Sequence, residues 1–469
     1  MSTGEKTGIL RRATWRTGFL MGIAVCALTL VSAGPLAQQV GPVSILVWTT
    51  SSFVGLLQVL IYSELAGMYQ NETGGMTMCM GDAFDKWSHW PTTIAQWAYW
   101  YAWIPVMGIM PILMAQYLNQ MIGTNFSPFI VGIVILGVLL AINYFGITVS
   151  ERGQLIISAV SLLPLVVMIV VAFARGLVSM DNLLPFRPYG SWGNFSNPEG
   201  SWFSMMSWVG IGAAYYVASW GSYAFETITV YVGEYKNPVK DTVKAAWSSG
   251  TVVTILNTMI TLALVGVLGV AAFADNPDYP FLKLSEAILG PVGGRVALFI
   301  IFTGLFLMAN TAFNGTARIL YGMSKEGTNL KQWMKLSPNG FPYVAAIFNI
   351  AFAIFLMTFE VPVKIIAASN LAYMICIFMP LFAFVILRKK RPDHPRPFKL
   401  PNFMVPVAFI LGAFNVILIL PGALYYGAEV MVTGSVITLL VIPLCLYRKK
   451  VQDKAETVIA KNPEEIDLD

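Results

Sequence analysis

The stretches without a charged side chain constrain this chain most. After Arg16 the next charge is Glu64, and Trp87 to Ser150 has none, although His89 lies near its start. Each is long enough for two helices of about 20 residues, the length that spans the hydrocarbon core of a bilayer. Further uncharged runs are Gly153–Ala174, Gly200–Phe225, Ala245–Ala274, Val296–Ala317, Leu336–Phe359, Ile365–Leu387, Leu400–Ala428 and Val430–Tyr447. The sum predicts an all-α integral membrane protein with twelve transmembrane helices. A β-barrel would instead show strands of about ten alternating residues. Only 11% of the 469 residues are charged, against roughly a quarter in soluble chains.

The charge distribution predicts an orientation. With an even number of helices and both termini inside, the inner segments hold 24 of the 29 basic residues, and only Arg175, Arg187, Lys283, Arg295 and Lys364 fall outside. This is the positive-inside pattern, and it accounts for the net charge of +5 without a nucleic-acid partner. The basic segment Arg11–Arg16 precedes an apolar run too long for a cleavable signal. The four cysteines have no metal-ligand spacing and none falls in an outer loop, so neither a metal nor a structural disulfide is expected. No cofactor is expected. His89 and His394 sit near helix ends or in loops, away from any proton relay inside the membrane.

Two helices carry interruptions. "VSAGPLAQQVGP" places Ser32, Ala33, Gly34 and Pro35 in the first, and "ASWGSYA" places Gly221 and Ser222 in the sixth. An interruption at membrane depth is tolerated only beside protein or a cavity. The two breaks occupy corresponding positions if the chain is divided into five helices, five helices and a pair. Such pairing points to a transporter with inverted repeats and a midplane site, although either break alone also reads as a simple kink. A half-helix starting at a break offers free N–H groups suited to a carboxylate. Glu226 follows the second break and ends an otherwise charge-free run from Trp202. It reads either as a proton-coupled carboxylate or as a structural acid bonded to backbone or a neighbouring helix.

Four segments in register resemble the amino acid–polyamine–organocation superfamily of permeases. They are "YSELAGMYQNETGG" after helix two, "EYKNPVKDTVKA" after helix six, "TARILYGMSKEG" after helix eight and "LRKKRPDHPRPFKLP" after helix ten. The resemblance implies a LeuT-like five-plus-five inverted repeat with broken helices one and six, plus two extra helices. The segments are then 1–16 (inner), 17–175 (helices one to five), 176–201 (outer loop), 202–388 (helices six to ten), 389–399 (inner loop), 400–447 (final pair) and 448–469 (inner tail). It also implies alternating access for amino acids or related amines, by exchange or with a coupling proton or Na⁺. The family holds its substrate carboxylate on a Gly-Ser-Gly-like turn. Here Ser32-Ala33-Gly34 precedes Pro35, a departure that admits amines without a carboxyl group.

By the same resemblance Trp220, six residues before Glu226, is the gating aromatic, and Ala224 stands where glycine is frequent. Ala102, Trp103 and Met107 of helix three face the cavity. Asn310 and Thr311 of helix eight read equally as ligand or ion contacts and as helix–helix hydrogen bonds; Ser369 and Asn370 of helix ten are further candidates. The lysine that many proton-linked relatives place in helix five, near Ser161, is absent. That favours an exchanger, a proton route through Glu226, or a cation site using Thr311 and helix-one carbonyls. Arg175–Ser201 holds no cysteine, where heteromeric relatives tether a heavy chain, so no disulfide-linked heavy chain is expected. The acceptor sequences at Asn71 and Asn194 are discounted: the first lies on the inner side, and the second matters only in a eukaryotic secretory route.

The alternatives are a ligand sensor, a channel and an enzyme. A channel needs a continuous polar stripe, a sensor a sizeable soluble domain, and an intramembrane enzyme a clustered catalytic set. The sequence offers isolated polar points instead.

Overall fold

The computed structural model describes residues 11, 13–70, 79–84, 88–145, 151–189, 200–273, 280–359 and 362–454. The acceptor sequences at Asn71 and Asn194 and the tail beyond residue 454 lie outside them. The helices are α1 (Trp15–Ala24), α2 (Thr29–Val40), α3 (Ser44–Met68), α4 (Met80–Phe84), α5 (Trp90–Ile122), α6 (Pro128–Tyr144), α7 (Glu151–Ala174) and α8 (Met205–Ser222). They continue with α9 (Pro238–Leu268), α10 (Pro280–Lys325), α11 (Tyr343–Met357), α12 (Pro362–Lys390), α13 (Met404–Tyr426), α14 (Ala428–Leu439) and α15 (Val441–Tyr447). No strand occurs among the described residues; one isolated bridge joins Ala13 to Tyr235.

Among the described residues, seven helical stretches are long and apolar enough to cross a membrane, and Pro128–Tyr144, Leu162–Ala174 and Tyr343–Met357 are shorter apolar helices. α6 shows why such segments need lipid. Its Gly132, Leu136 and Leu139 face the protein, while Ile130, Val134 and Val138 are exposed at four-residue spacing. A helix that is apolar on every face belongs in a core or a bilayer. The same outward apolar face recurs on α7 at Ile156, Val160, Leu163 and Val167.

α5 is the buried axis of the bundle and packs against α6, α10, α11 and α12. Its Trp100 donates to Asn349 Oδ1 of α11 at 2.9 Å, and Asn349 donates in turn to Thr316 of α10. Elsewhere close backbone approach is set by glycine. A methyl group on Gly434 of α14 would collide with the Ala368 carbonyl oxygen of α12. Gly434→Ala is therefore expected to cost about 1–3 kcal/mol through overpacking, read as a lower melting temperature in detergent. An unchanged melt would show that these helices can separate freely.

The segments predicted to lie inside meet one another. Lys236 N donates to Ala13 O, Arg391 pairs with Asp82 at 3.5 Å, and Lys331 pairs with Asp453 at 2.9 Å. Arg448, at the end of the last helix, donates to Ser324 O, Asn329 O and Asp453. The segments predicted to lie outside likewise meet. Arg175 donates to Ile288 O, Asn182 to Gly266 O, and Gln38 to Phe273 O.

Candidate functional site

The sixth-helix interruption falls where the sequence places it. α8 ends at Ser222, Tyr223 bends, and Ala224–Glu234 continues as 3₁₀ helix. Eleven residues is far beyond the usual 3–4 for such a run, and such a stretch marks a hinge or strain. The first-helix interruption is displaced from its expected place. Ser32, Ala33, Gly34 and Pro35 lie inside α2, and the change to 3₁₀ geometry occurs at Val25–Leu28. Helices absorb an internal proline when neighbours satisfy the freed backbone groups. The location follows tertiary packing instead: a Cβ on Gly221 would stand 3.2 Å from Leu28 Cβ. The two interruptions therefore touch, and the bare face of Gly221 permits it.

Around this junction two helices make matching contacts. On α5, the Ala102 carbonyl accepts from Trp220 Nε1 at 2.9 Å, and the Tyr99 hydroxyl, one turn away, faces the Glu226 carboxylate. On α12, Asn370 donates to Tyr216 O and to Ser219 Oγ, and Tyr373, again three residues along, faces Glu226. Residues at i and i+3 share a helix face. One face of α5 and one face of α12 thus hold both the last turn of α8 and the acid beyond the break.

Glu226 is 1% exposed. Its Oε2 accepts from Thr227 N at 2.9 Å, and its Oε1 has no partner of hydrogen-bond geometry although Tyr99 and Tyr373 lie near. No cation pairs with it among the described residues. Ser32 Oγ and Ser222 Oγ are buried without partners on the two interrupted helices, which leaves two donors for a solute at the junction.

The remaining candidates separate into two groups. Ser32, Ala33, Gly34, Ala102, Met107, Gly221, Ser222, Ala224, Ser369 and Asn370 are buried, and Trp103 is partly buried with its Nε1 unpartnered. Met107 Sδ accepts a 3.5 Å bond from the Thr316 hydroxyl, and Ser369 returns its hydroxyl to Ile366 O. Asn310 and Thr311 do not join them. Asn310 Oδ1 accepts from Asn143 of α6 at 2.8 Å, a helix–helix bond. Thr311 is exposed and donates to its own helix at Leu307 O, so it cannot help form an internal cation site. The side chain of Ser161 lies outside the described residues.

Sequence reasoning missed a second buried charge. Glu64 of α3 is fully buried; its Oε2 accepts from Arg388 at 2.7 Å and from Leu400 N at 2.7 Å, and its Oε1 lies 3.3 Å from Arg396 Nε. The only signal for it was its place in the Glu-Leu segment and the two arginines of the loop after helix ten.

The family model for amino acid permeases matches residues 14–446. The chain belongs to the amino acid permease family. It is 22% identical to the gamma-aminobutyric acid permease of Bacillus subtilis, over 98% of this chain and 97% of that protein. It is 25% identical to a probable polyamine transporter of Arabidopsis thaliana, over 79% of this chain and 69% of that one. A crystal structure of the Eremococcus coleocola manganese transporter, in complex with an aromatic bis-isothiourea substituted compound, superposes with a TM-score of 0.58 at 13% identity. The match covers 96% of this chain and 98% of that one, and it speaks for the fold alone. In this permease Trp220→Phe keeps a smaller aromatic ring and loses the bond to Ala102. A net hydrogen bond is worth about 0.5–1.5 kcal/mol, so the apparent KM of uptake is expected to rise roughly two- to tenfold. An unchanged KM would remove this bond from the transport cycle.

Proposed function

We propose that the chain is a secondary active transporter that moves amino acids or related amines by alternating access, as an exchanger or a proton-coupled symporter. In this reading there are twelve spans: the two arms of Trp15–Met68 separated by the Gly41-Pro42 turn, α8 with its 3₁₀ continuation, and the other long and shorter apolar helices of the described residues, which support it. The five-plus-five inverted repeat gives the two interrupted helices equivalent places. Both termini are cytoplasmic in this reading, as is the face where Ala13, Asp82, Lys236, Lys331, Arg391 and Arg448 make their contacts.

The observation that carries the proposal is the contact between Leu28 and Gly221, one at each interruption, beside the uncompensated Glu226. Substrate occupies this junction, with the unpartnered hydroxyls of Ser32 and Ser222 as polar contacts and Trp220 as the lid. An aromatic face there attracts an ammonium group. Glu226 couples occupancy to closure through its proton.

Counterflow in proteoliposomes tests this. Vesicles preloaded with γ-aminobutyrate, a neutral α-amino acid or a polyamine should take up the matching radiolabelled solute transiently above equilibrium. A thermal-shift screen selects the solute first, because a ligand at 100 times its Kd adds about 2.7 kcal/mol. Passive conductance without counterflow would identify a channel and refute the proposal.

A further inference from the structure

A cavity of about 200 Å³ opens at the loop end of α12 and the start of α13, lined by Arg388, Lys389, Arg396, Lys399, Asn402 and Val405. Four of its lining residues are cationic. Among the described residues Glu64 is the single acid bonded to them, through Arg388 and Arg396, so these wall residues carry a surplus of three positive charges. The nearby Asp82 is paired with Arg391 instead. The two arginine side chains are 7% and 3% exposed, and the buried Nε of Arg388 has no hydrogen-bond partner.

From this geometry we infer an anion site for a phosphate group, built by the last turn of α12 and the residues that follow it. Guanidinium groups suit phosphate through their planar, multiple N–H donors. Arg388 is held in place by Glu64, Asn402 and the Leu400 carbonyl, and Arg396 by Glu64 and the carbonyls of Leu387, Arg391, Pro392 and His394, while Lys389 and Lys399 are exposed at the rim. Basic pockets between helices at a membrane face hold anionic headgroups. The apolar outer surface of Phe403, Phe409 and Ile410 continues from the cavity along α13, where acyl chains of such a lipid would lie. A soluble phosphate would use the same cations without that surface. The site goes beyond the transport reading, since it concerns no residue at the helix junction.

The test uses the full chain purified in detergent, titrated with dioctanoyl phosphatidylglycerol, dioctanoyl phosphatidylcholine and inorganic phosphate, with native mass spectrometry as readout. The variant Lys389→Gln with Lys399→Gln removes two exposed charges and leaves the arginine–Glu64 cluster intact. The control, Lys240→Gln with Lys244→Gln, removes two exposed charges from α9. Phosphatidylglycerol is expected to bind in preference to phosphatidylcholine, about thirtyfold more weakly in the pocket variant and unchanged in the control. Thirtyfold corresponds to about 2 kcal/mol for two basic side chains. Binding of phosphatidylglycerol without inorganic phosphate assigns the site to a lipid headgroup; equal sensitivity of inorganic phosphate assigns it to a soluble anion. The inference is overturned if neither probe binds, or if the pocket and control variants weaken binding alike.

Discussion

Glu64→Ala is expected to destabilise the protein by about 3–5 kcal/mol, the cost of removing one partner from a buried ion pair. The change leaves Arg388 and Arg396 without their acid, and it leaves Leu400 N–H without its acceptor. Both arginine side chains are nearly inaccessible to water where they meet Glu64, so solvent from the neighbouring cavity replaces the carboxylate only in part. The cluster ties α3 to the end of α12 and to the chain entering α13, so the loss falls on the packing between them. Glu64→Gln keeps an acceptor for Leu400 and removes the charge, and should fall between wild type and Glu64→Ala. Thermal melts in detergent read the difference, and a double-mutant cycle with Arg396→Ala reads the coupling. A Glu64→Ala protein that melts with the wild type would mean that the cluster relaxes into water.

Glu226→Gln is expected to abolish the pH dependence of transport while substrate exchange survives. The amide keeps the size of the side chain and can still accept from Thr227 N–H, which the carboxylate does at 2.9 Å. It cannot ionise. A buried carboxylate with no cation beside it is a place where a proton or the amino group of a substrate is accommodated. Tyr99 and Tyr373 border it from α5 and α12, the helices that also hold Trp220 and the last turn of α8. In the proposed cycle, occupancy of the junction and protonation of the acid act on the same two helix faces. Glu226→Ala also removes the acceptor for Thr227 N–H and should additionally lower stability.

The spans were legible because lipid demands apolar residues on every outward face, and α6 meets that demand with no charge at all. The Gly221–Ser222 interruption and the burial of Glu226 were legible because glycine and an isolated acid are rare signals in an apolar run. The first interruption was not. "VCAL" contains neither glycine nor proline, and its geometry answers to Gly221, far away in sequence. Thr311 misled for a related reason. Five residues further on, about 140° around the helix at 3.6 residues per turn, Thr316 is the one that faces Met107 and Asn349. Residue type alone does not reveal which face of an all-apolar helix points inward. The Glu64 cluster joins residues more than 320 positions apart, beyond any local pattern.

The most direct measurement is uptake into proteoliposomes across a range of external pH, with Glu226→Gln beside the wild type and the substrate that counterflow identifies. The account predicts pH-dependent uptake and net accumulation in the wild type, and in the variant a flat pH profile with exchange retained. A glutamine variant that keeps the wild-type pH profile and accumulation would contradict it, leaving Glu226 as a structural acid beneath the broken helix.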